Sequence, residues 1–355
     1  MSPGSSFPAE FEIGGRPVGA GHPCYVIAEA GANHNRDLEV AKRLIDVAAE
    51  AGADAVKFQT YSGERIYSSK TPKFEYLAPI TDKPPAELLE EISLHREWQR
   101  ELAEHASSRG IQWFSSPFDL EAVAELDALD VPALKIASFE IGDLPLIEAA
   151  ARTGRPLLVS TGMAVMGEIE DALGAAEAGG GSALGLMQCT SVYPAPAARA
   201  NLRAMDTMRG AFGVPVGLSD HTEGVAVPIA AAALGAAFVE KHFTLDRSMT
   251  GPDHPFALEQ GELEAMVRGI REAESALGDG RKAGPSEEER KEMYTLARRS
   301  LILTADLPKG TRLERHMLTT KRPGLGVPPK YLELVLGREL KVDVESDDIL
   351  TWDMI

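Results

Sequence analysis

Between residues 24 and 242 a short apolar run followed by an amphipathic stretch recurs eight times, and this repeat constrains the fold more than any other feature of the chain. The runs lie at 24–29, 55–59, 111–115, 134–137, 156–160, 184–189, 214–219 and 237–242. Each is nearly continuously apolar, as a parallel strand buried on both faces must be. The stretch 37–52 reads as an amphipathic helix with Asp37 near its N-terminus and Gly52 at its stop, and Gly110, Gly154, Gly180 and Gly213 end later helical patterns. Eight such units predict an α/β fold, a (β/α)8 TIM barrel. An open doubly wound sheet is the alternative, but it would be large for one sheet, and no glycine-rich dinucleotide turn follows the first strand.

The barrel accounts for roughly 250 of the 355 residues. Ahead of the first strand, residues 11–18 read as a hairpin with a Gly14-Gly15 turn, expected to plug the barrel floor. After the second strand, residues 62–92 form a long insertion rich in Pro, Lys and Tyr; a loop of that length on the C-terminal face of a barrel is usually functional. Residues 277–285 are rich in Gly, Pro and charge and lead into a short helix at 286–290. Beyond them come β-like pieces at 300–304 and 348–351, joined by turns such as 307–310 and 322–326. The expected division is a barrel domain with its hairpin over 1–280, a linker over 281–294, and a small β module over 295–355. With so little core of its own, that module is expected to dock on something.

Thirty-six Lys and Arg against 54 Asp and Glu give a net charge of −18, which argues against nucleic acid as a partner. The longest apolar stretch, 225–239, is Ala-rich, contains Gly235 and falls short of a membrane span. The two cysteines, Cys24 and Cys189, sit in apolar runs and cannot build a disulfide framework. They read as buried thiols with no metal or nucleophilic role. Residues 1–6 lack the basic and apolar regions of a signal peptide. A cytoplasmic protein that touches neither membrane nor nucleic acid is the expectation.

Barrels carry their chemistry at the C-terminal ends of the strands. Those ends here hold Glu29 with Asn33 and His34, Lys57 with Gln59, Ser115 with Ser116, Lys135 with Ser138, Ser160 with Thr161, Thr190 with Ser191 and Tyr193, Ser219 with His221, and Glu240 with His242. So many polar groups on one rim are costly unless they serve chemistry. Side chains at i and i+2 of a strand share a face, so Ser219 with His221 and Glu240 with His242 converge if their strands are neighbours. The two imidazoles then form either a metal site with open positions or a hydrogen-bonded pair of barrel histidines. Lys57 and Lys135 lie inside apolar strands. With the hydroxyls of Ser138, Ser160 and Ser219 they form an anion cradle for a phosphate plus a carboxylate, while a Schiff-base lysine is the competing chemistry.

Read in order, Ala28-Glu29-Ala30-Gly31-Ala32-Asn33-His34-Asn35, Val56-Lys57-Phe58-Gln59-Thr60, Ser160-Thr161-Gly162-Met163, Cys189-Thr190-Ser191-Val192-Tyr193-Pro194, the segment 217–222, Glu240-Lys241-His242-Phe243-Thr244, Gly251-Pro252-Asp253-His254 and Lys321-Arg322-Pro323-Gly324 resemble the signature blocks of the sialic acid synthase family. The resemblance runs through nearly the whole chain. It implies a (β/α)8 barrel followed by an antifreeze-like, or SAF, domain. It also implies condensation of phosphoenolpyruvate with a hexosamine-derived aldehyde to a nine-carbon 2-keto acid, with release of phosphate.

Carried over residue by residue, the resemblance implies that His221 and His242 hold a divalent metal, Mn2+ with Mg2+ or Co2+ as alternatives. Lys57, Lys135, Ser138, Ser160 and Ser219, with Ser116 beside them on the rim, match the phosphoenolpyruvate site. Glu29 and Glu240 match water activation and proton handling, with His242 beside them. Gln59, Tyr193 and Asp253 match sugar-side positions. Arg322 matches an arginine that reaches from the SAF domain of one protomer into the barrel of its partner, which implies a homodimer with a domain-swapped SAF lid. Ser191 and the 251–254 block leave the acceptor between N-acetylmannosamine, placed first, and a 2,4-diacetamido-2,4,6-trideoxyhexose, the legionaminate- or pseudaminate-type acceptor. A metal-dependent pyruvate lyase would need no phosphate cradle. A carbohydrate- or ice-binding protein built on the SAF module would leave Glu29, Lys57, His221 and Glu240 without a purpose.

Overall fold

A computed structural model of the chain describes residues 6–73 and 83–355; residues 74–82 of the expected 62–92 insertion lie outside the described residues. The chain divides into two compact units, Met1–Gly278 and Asp279–Ile355.

In the first unit, β1 (Glu10–Ile13) and β2 (Arg16–Gly19) pair antiparallel as the expected hairpin. Eight parallel strands follow: β3 (Tyr25–Gly31), β4 (Ala55–Thr60), β5 (Gln112–Pro117), β6 (Leu134–Ile136), β7 (Leu157–Ser160), β8 (Leu184–Cys189), β9 (Val216–Asp220) and β10 (Phe238–His242). They close in order, with β10 pairing back to β3, so the chain forms the eight-stranded barrel that its repeat predicts. Every residue of β3, β6, β7, β9 and β10 is buried, because helices cover one side and packed side chains the other. The helix Leu38–Glu50 shows how the outer layer is fixed. The Asp37 carboxylate accepts from the Glu39 and Val40 N–H groups and caps it, while Ala41, Leu44, Ile45, Val47 and Ala48 face the barrel. Such a cap is worth about 1 kcal/mol.

Alternation along the strands sends Phe238, Glu240 and His242 inward. The interior is apolar below and charged above. Phe238 fills the lower part: a Cβ on Gly185 would come within 2.6 Å of its ring, so β8 carries glycine where the aromatic needs the space. The hairpin closes the same end. Ile13 and Val18 are fully buried, and the Phe11 ring centroid lies 6.0 Å from that of Phe238. Asp54 ties this floor together by pairing with Arg16 of β2, accepting from the Val26 N–H at 2.7 Å and from Arg271 of the helix Gln260–Leu277 at 2.9 Å.

The second unit opens with a short helix, Glu287–Lys291, capped by Ser286 where the sequence places a helix start. Its strands β11 (Ser300–Leu303) and β12 (Leu318–Lys321) pair antiparallel over a small separate core that includes Leu301, Leu313, Val327 and Leu350. The expected strand at 348–351 makes only an isolated bridge from Ile349 to Ile302. The segment still runs beside β11, with the Leu303 N–H donating to the Asp348 carbonyl and the Leu350 N–H to the Leu301 carbonyl, both at 2.9 Å. Among the described residues no helix is long and apolar enough to cross a membrane.

Candidate active site

Four charged side chains meet in the upper barrel, each less than a tenth exposed. Lys57 of β4 places Nζ 2.7 Å from Glu29 Oε2 of β3 and 3.7 Å from Glu240 Oε2 of β10. Lys135 of β6 lies 3.6 Å from Glu240 Oε1. Burial pushes the Glu29 carboxyl up, against the pull of Lys57 and with the help of Glu240. Burial acts on Glu240 in the same direction, yet Lys135, Lys57 and the Ser219 hydroxyl outweigh it and hold this carboxyl well below the usual range. The two carboxyls are therefore pushed in opposite directions by their neighbours, Glu29 up to about 7 and Glu240 down to about 2.

Hydroxyl groups surround the two lysines. Lys57 donates to Ser116 Oγ at 3.1 Å, Lys135 to Ser160 Oγ at 2.7 Å, and Ser219 to Glu240 Oε1 at 2.8 Å. Ser138 Oγ accepts from the Gly162 N–H at 3.0 Å. A Cβ on Gly162 would lie 2.8 Å from that oxygen and 2.3 Å from Ser191 Oγ, so a residue without a side chain is what lets the β7 loop approach. Burial pulls Lys135 down, opposed by Glu240 and reinforced by Lys57, so its charge gains from any anion that enters. Two buried lysines ringed by serine hydroxyls, inside a chain of net charge −18, form a local anion site.

The two histidines stand at the mouth, on the strand ends where the sequence puts them, with ring centroids 5.4 Å apart. His221 Nδ1 lies 3.0 Å from the Thr190 carbonyl oxygen, to which it donates, leaving Nε2 as the ring's lone-pair nitrogen. His242 Nδ1 is buried with no hydrogen-bond partner, and Asp253 Oδ2 lies 3.7 Å away. Burial, then the nearby His221 and Lys57, hold His242 well below the usual imidazole value and hence neutral. A neutral imidazole with an orphaned nitrogen beside a second imidazole of fixed tautomer fits two ligands of a divalent metal. Among the described residues no group of three or more His, Cys, Asp and Glu is arranged to hold an ion, so water or substrate would complete the coordination, as in catalytic sites.

The sugar-side candidates are brought to the same mouth in part. Gln59 donates to Glu29 Oε1 at 2.8 Å, and the Tyr193 ring lies 4.2 Å from that of His221. Burial pushes Asp253 up to about 6. Arg322 lies in the second unit, exposed on the turn after β12.

Other rim residues turn away. Ser115 faces the outer layer, where its hydroxyl meets Thr60 Oγ1 at 2.8 Å, so of that serine pair only Ser116 enters the site. Asn33 donates to the Phe243 carbonyl, and His34 Nδ1 accepts from the Arg36 N–H; both hold loop backbone.

Three residues join the site without having been expected there. Glu140 lies in the turn Ser138–Glu140 after β6 with Oε2 buried and unpartnered; burial pushes its carboxyl up to about 7, against Lys135. Cys189, assigned no role by the sequence reading, places its thiol 3.7 Å from His221 Nδ1. Phe256 sets its ring edge-on to His242 at 5.3 Å, and with Tyr193 it forms an aromatic wall. The signals were faint: a carboxylate two residues past Ser138, a cysteine on the inward phase of β8, and an aromatic two residues past His254.

Residues 44–282 match the NeuB family, and residues 298–355 match the SAF domain. The chain belongs to the NeuB family. It is 40% identical over 330 residues to N,N'-diacetyllegionaminic acid synthase of Campylobacter jejuni subsp. jejuni serotype O:2, covering 92% of this chain and 98% of that protein. It is 36% identical over 353 residues to human N-acetylneuraminate-9-phosphate synthase, covering 98% and 97%. A crystal structure of N-acetylneuraminic acid synthetase from Leptospira borgpetersenii serovar Hardjo-bovis in complex with citrate superimposes with a TM-score of 0.72 at 34% identity, covering 83% of this chain and 97% of that one. These relatives are named as synthases of sialic- and legionaminic-type acids, and the chain is a phosphoenolpyruvate-dependent synthase of that kind.

Proposed function

We propose that the chain condenses phosphoenolpyruvate with the open-chain form of an N-acylated amino sugar, N-acetylmannosamine first, to give an N-acetylneuraminate-like 2-keto acid and phosphate. The observation that carries this reading is the position of Glu240, which contacts both cradle lysines, accepts from Ser219 and sits two residues before His242. Glu240 links the proposed anion site to the proposed two-histidine centre.

Lys57 and Lys135 neutralise the phosphate and carboxylate of phosphoenolpyruvate, and Ser116, Ser138, Ser160 and Ser219 orient it through their hydroxyls. A divalent ion held by His221 and His242, proposed as Mn2+ with Mg2+ or Co2+ as alternatives, supplies Lewis-acid polarisation of the aldehyde oxygen. Gln59, Tyr193 and Asp253 align the sugar so that its aldehyde carbon faces the enol carbon. As the carbon–carbon bond forms, the enol carbon that bears the phosphate becomes electron-poor and takes up water. Glu240 accepts that water's proton, and Glu29, with its raised proton affinity, donates to the alkoxide left by the aldehyde. Breakdown of the adduct expels phosphate.

The second unit is proposed to act on the partner barrel of a homodimer, with Arg322 reaching the acyl-amino group of the sugar. Phe139, Met163, Val165 and Val192 support this: they are exposed apolar side chains on the loops after β6, β7 and β8, at the mouth a lid would cover. Two buried unpaired thiols suit a cytoplasmic setting.

The 40% identity to a diacetyllegionaminic acid synthase favours a second acceptor, a 2,4-diacetamido-2,4,6-trideoxyhexose. Incubation with phosphoenolpyruvate, Mn2+ and equimolar amounts of the two sugars, with products identified by mass, tests both. The nine-carbon acid from N-acetylmannosamine should dominate. Dominance of the diacetamido product would move the assignment to the second acceptor, and absence of both would reject the reading.

A further inference from the structure

Asp220 and Lys241 belong to the two motif blocks that carry His221 and His242, yet neither enters the cradle or the mouth. Alternation turns Ser219, Glu240 and His242 into the barrel and sends Asp220 and Lys241 out toward the helical layer. There they are register partners on β9 and β10, with Lys241 Nζ 2.5 Å from Asp220 Oδ2 and side chains 1% and 2% exposed. Asp220 also accepts from the Thr222 N–H at 3.1 Å and from Thr222 Oγ1 at 3.0 Å, and Lys241 donates to the Thr222 carbonyl. The residues on both sides of His221 are thereby bound to the residue that lies between Glu240 and His242.

A buried ion pair is a poor way to gain stability, since apolar replacements of similar volume are often neutral or better. It is a good way to fix register, because it has one geometry and a high cost for leaving it. This pair sits directly behind the two imidazoles. A slip or splay of β9 against β10 would change their separation of 5.4 Å, and that motion is the one the pair resists. Other contacts on His221, its carbonyl accepting from the Ala195 N–H at 2.8 Å and its Nδ1 on Thr190, orient the ring relative to β8 but do not tie it to β10.

We propose that Asp220 and Lys241 are positioning residues that hold His221 and His242 at a metal-binding separation. The proposal rests on the reading of those histidines as metal ligands. Partners bonded directly to a ligand typically change metal affinity roughly 10- to 100-fold when removed, which sets the upper bound for a pair that acts through the strands.

The test compares the wild type, His221→Ala and the double variant Asp220→Asn/Lys241→Met, which removes both charges and leaves none unpaired. Mn2+ binding is read from the free-ion electron paramagnetic resonance signal, and folding from thermal unfolding of the same samples. The wild type should bind Mn2+, His221→Ala should not, and the double variant should unfold near the wild-type temperature while binding Mn2+ more weakly, by up to roughly 10- to 100-fold. A stably folded double variant with wild-type affinity overturns the proposal, and so does one that fails to fold, since the pair would then be holding up the barrel. Equal Mn2+ binding, or none, in wild type and His221→Ala would reject the histidine centre itself, a result distinct from either of those.

Discussion

Glu29 and Glu240 face the same lysine from the paired strands β3 and β10, and the fold shifts their proton affinities in opposite directions. Burial pushes Glu29 up to about 7, while the two lysines and Ser219 hold Glu240 down at about 2. Pairs of carboxyl groups separated in this way divide acid and base roles.

Glu240→Gln is therefore expected to remove the base and the only ionised carboxylate between the lysines. Its kcat should fall by about 10²- to 10⁴-fold, while its KM for phosphoenolpyruvate falls or stays level. Glu29→Gln keeps a neutral group in place, so substrate binding should hold and turnover alone should drop. Steady-state kinetics on both variants decides this, and a raised phosphoenolpyruvate KM with unchanged kcat in Glu240→Gln would contradict the division.

Removal of either cradle cation should act on substrate binding. Lys57→Ala and Lys135→Ala each delete a charge-assisted contact worth about 1.5–3 kcal/mol, which corresponds to a roughly ten- to hundredfold rise in the phosphoenolpyruvate requirement. Borohydride treatment in the presence of a keto substrate should leave no adduct, because both lysines act as cations; a trapped adduct on either would make it a nucleophile.

Glu140 gives a pH signature. Its carboxyl is raised to about 7 in the fold, so the stabilisation it contributes is complete below the ordinary carboxyl value and is lost as pH rises through 7. Glu140→Gln mimics the protonated form. Denaturant unfolding at pH 5 and pH 8 should show a wild-type loss that exceeds the variant's by up to about 3 kcal/mol, while the limb in kcat set by Glu29 near neutrality should persist in both. Parallel pH profiles of stability for the two proteins would remove Glu140 from the account.

Much of this is legible in the sequence. The eight strands could be read because a doubly buried strand is nearly uniform in apolar residues, and their polar ends stand out against that background. The same uniformity hid the phase: with Trp113 and Phe114 both apolar, nothing showed that Ser116 points inward and Ser115 outward to Thr60. Glu140 escaped because it lies in a tight turn that obeys neither strand nor helix period. Cys189 looked like core, and by burial it is; only the closure of β8 against β9 brings it to His221. Alternation with Ser219, His221, Glu240 and His242 already turns Asp220 and Lys241 outward; what the sequence does not show is that the two are register partners that pair.

Arg322 should act in trans. In a homodimer that shares sites, mixing Arg322→Ala with His221→Ala under conditions that allow protomer exchange should restore part of the activity, since one site of each mixed dimer has both residues intact. Mixed dimers that form without recovery, from folded parents, would confine Arg322 to its own chain or to no role.

The most direct measurement of the central claim is the stoichiometry of the reaction with each component omitted in turn. With phosphoenolpyruvate, N-acetylmannosamine and Mn2+ all present, phosphate and nine-carbon keto acid should appear in equal amounts, without pyruvate. Omission of the sugar, chelation of the metal or the His221→Ala substitution should each abolish both products. Release of pyruvate, or phosphate that appears without the sugar, would contradict condensation at this site.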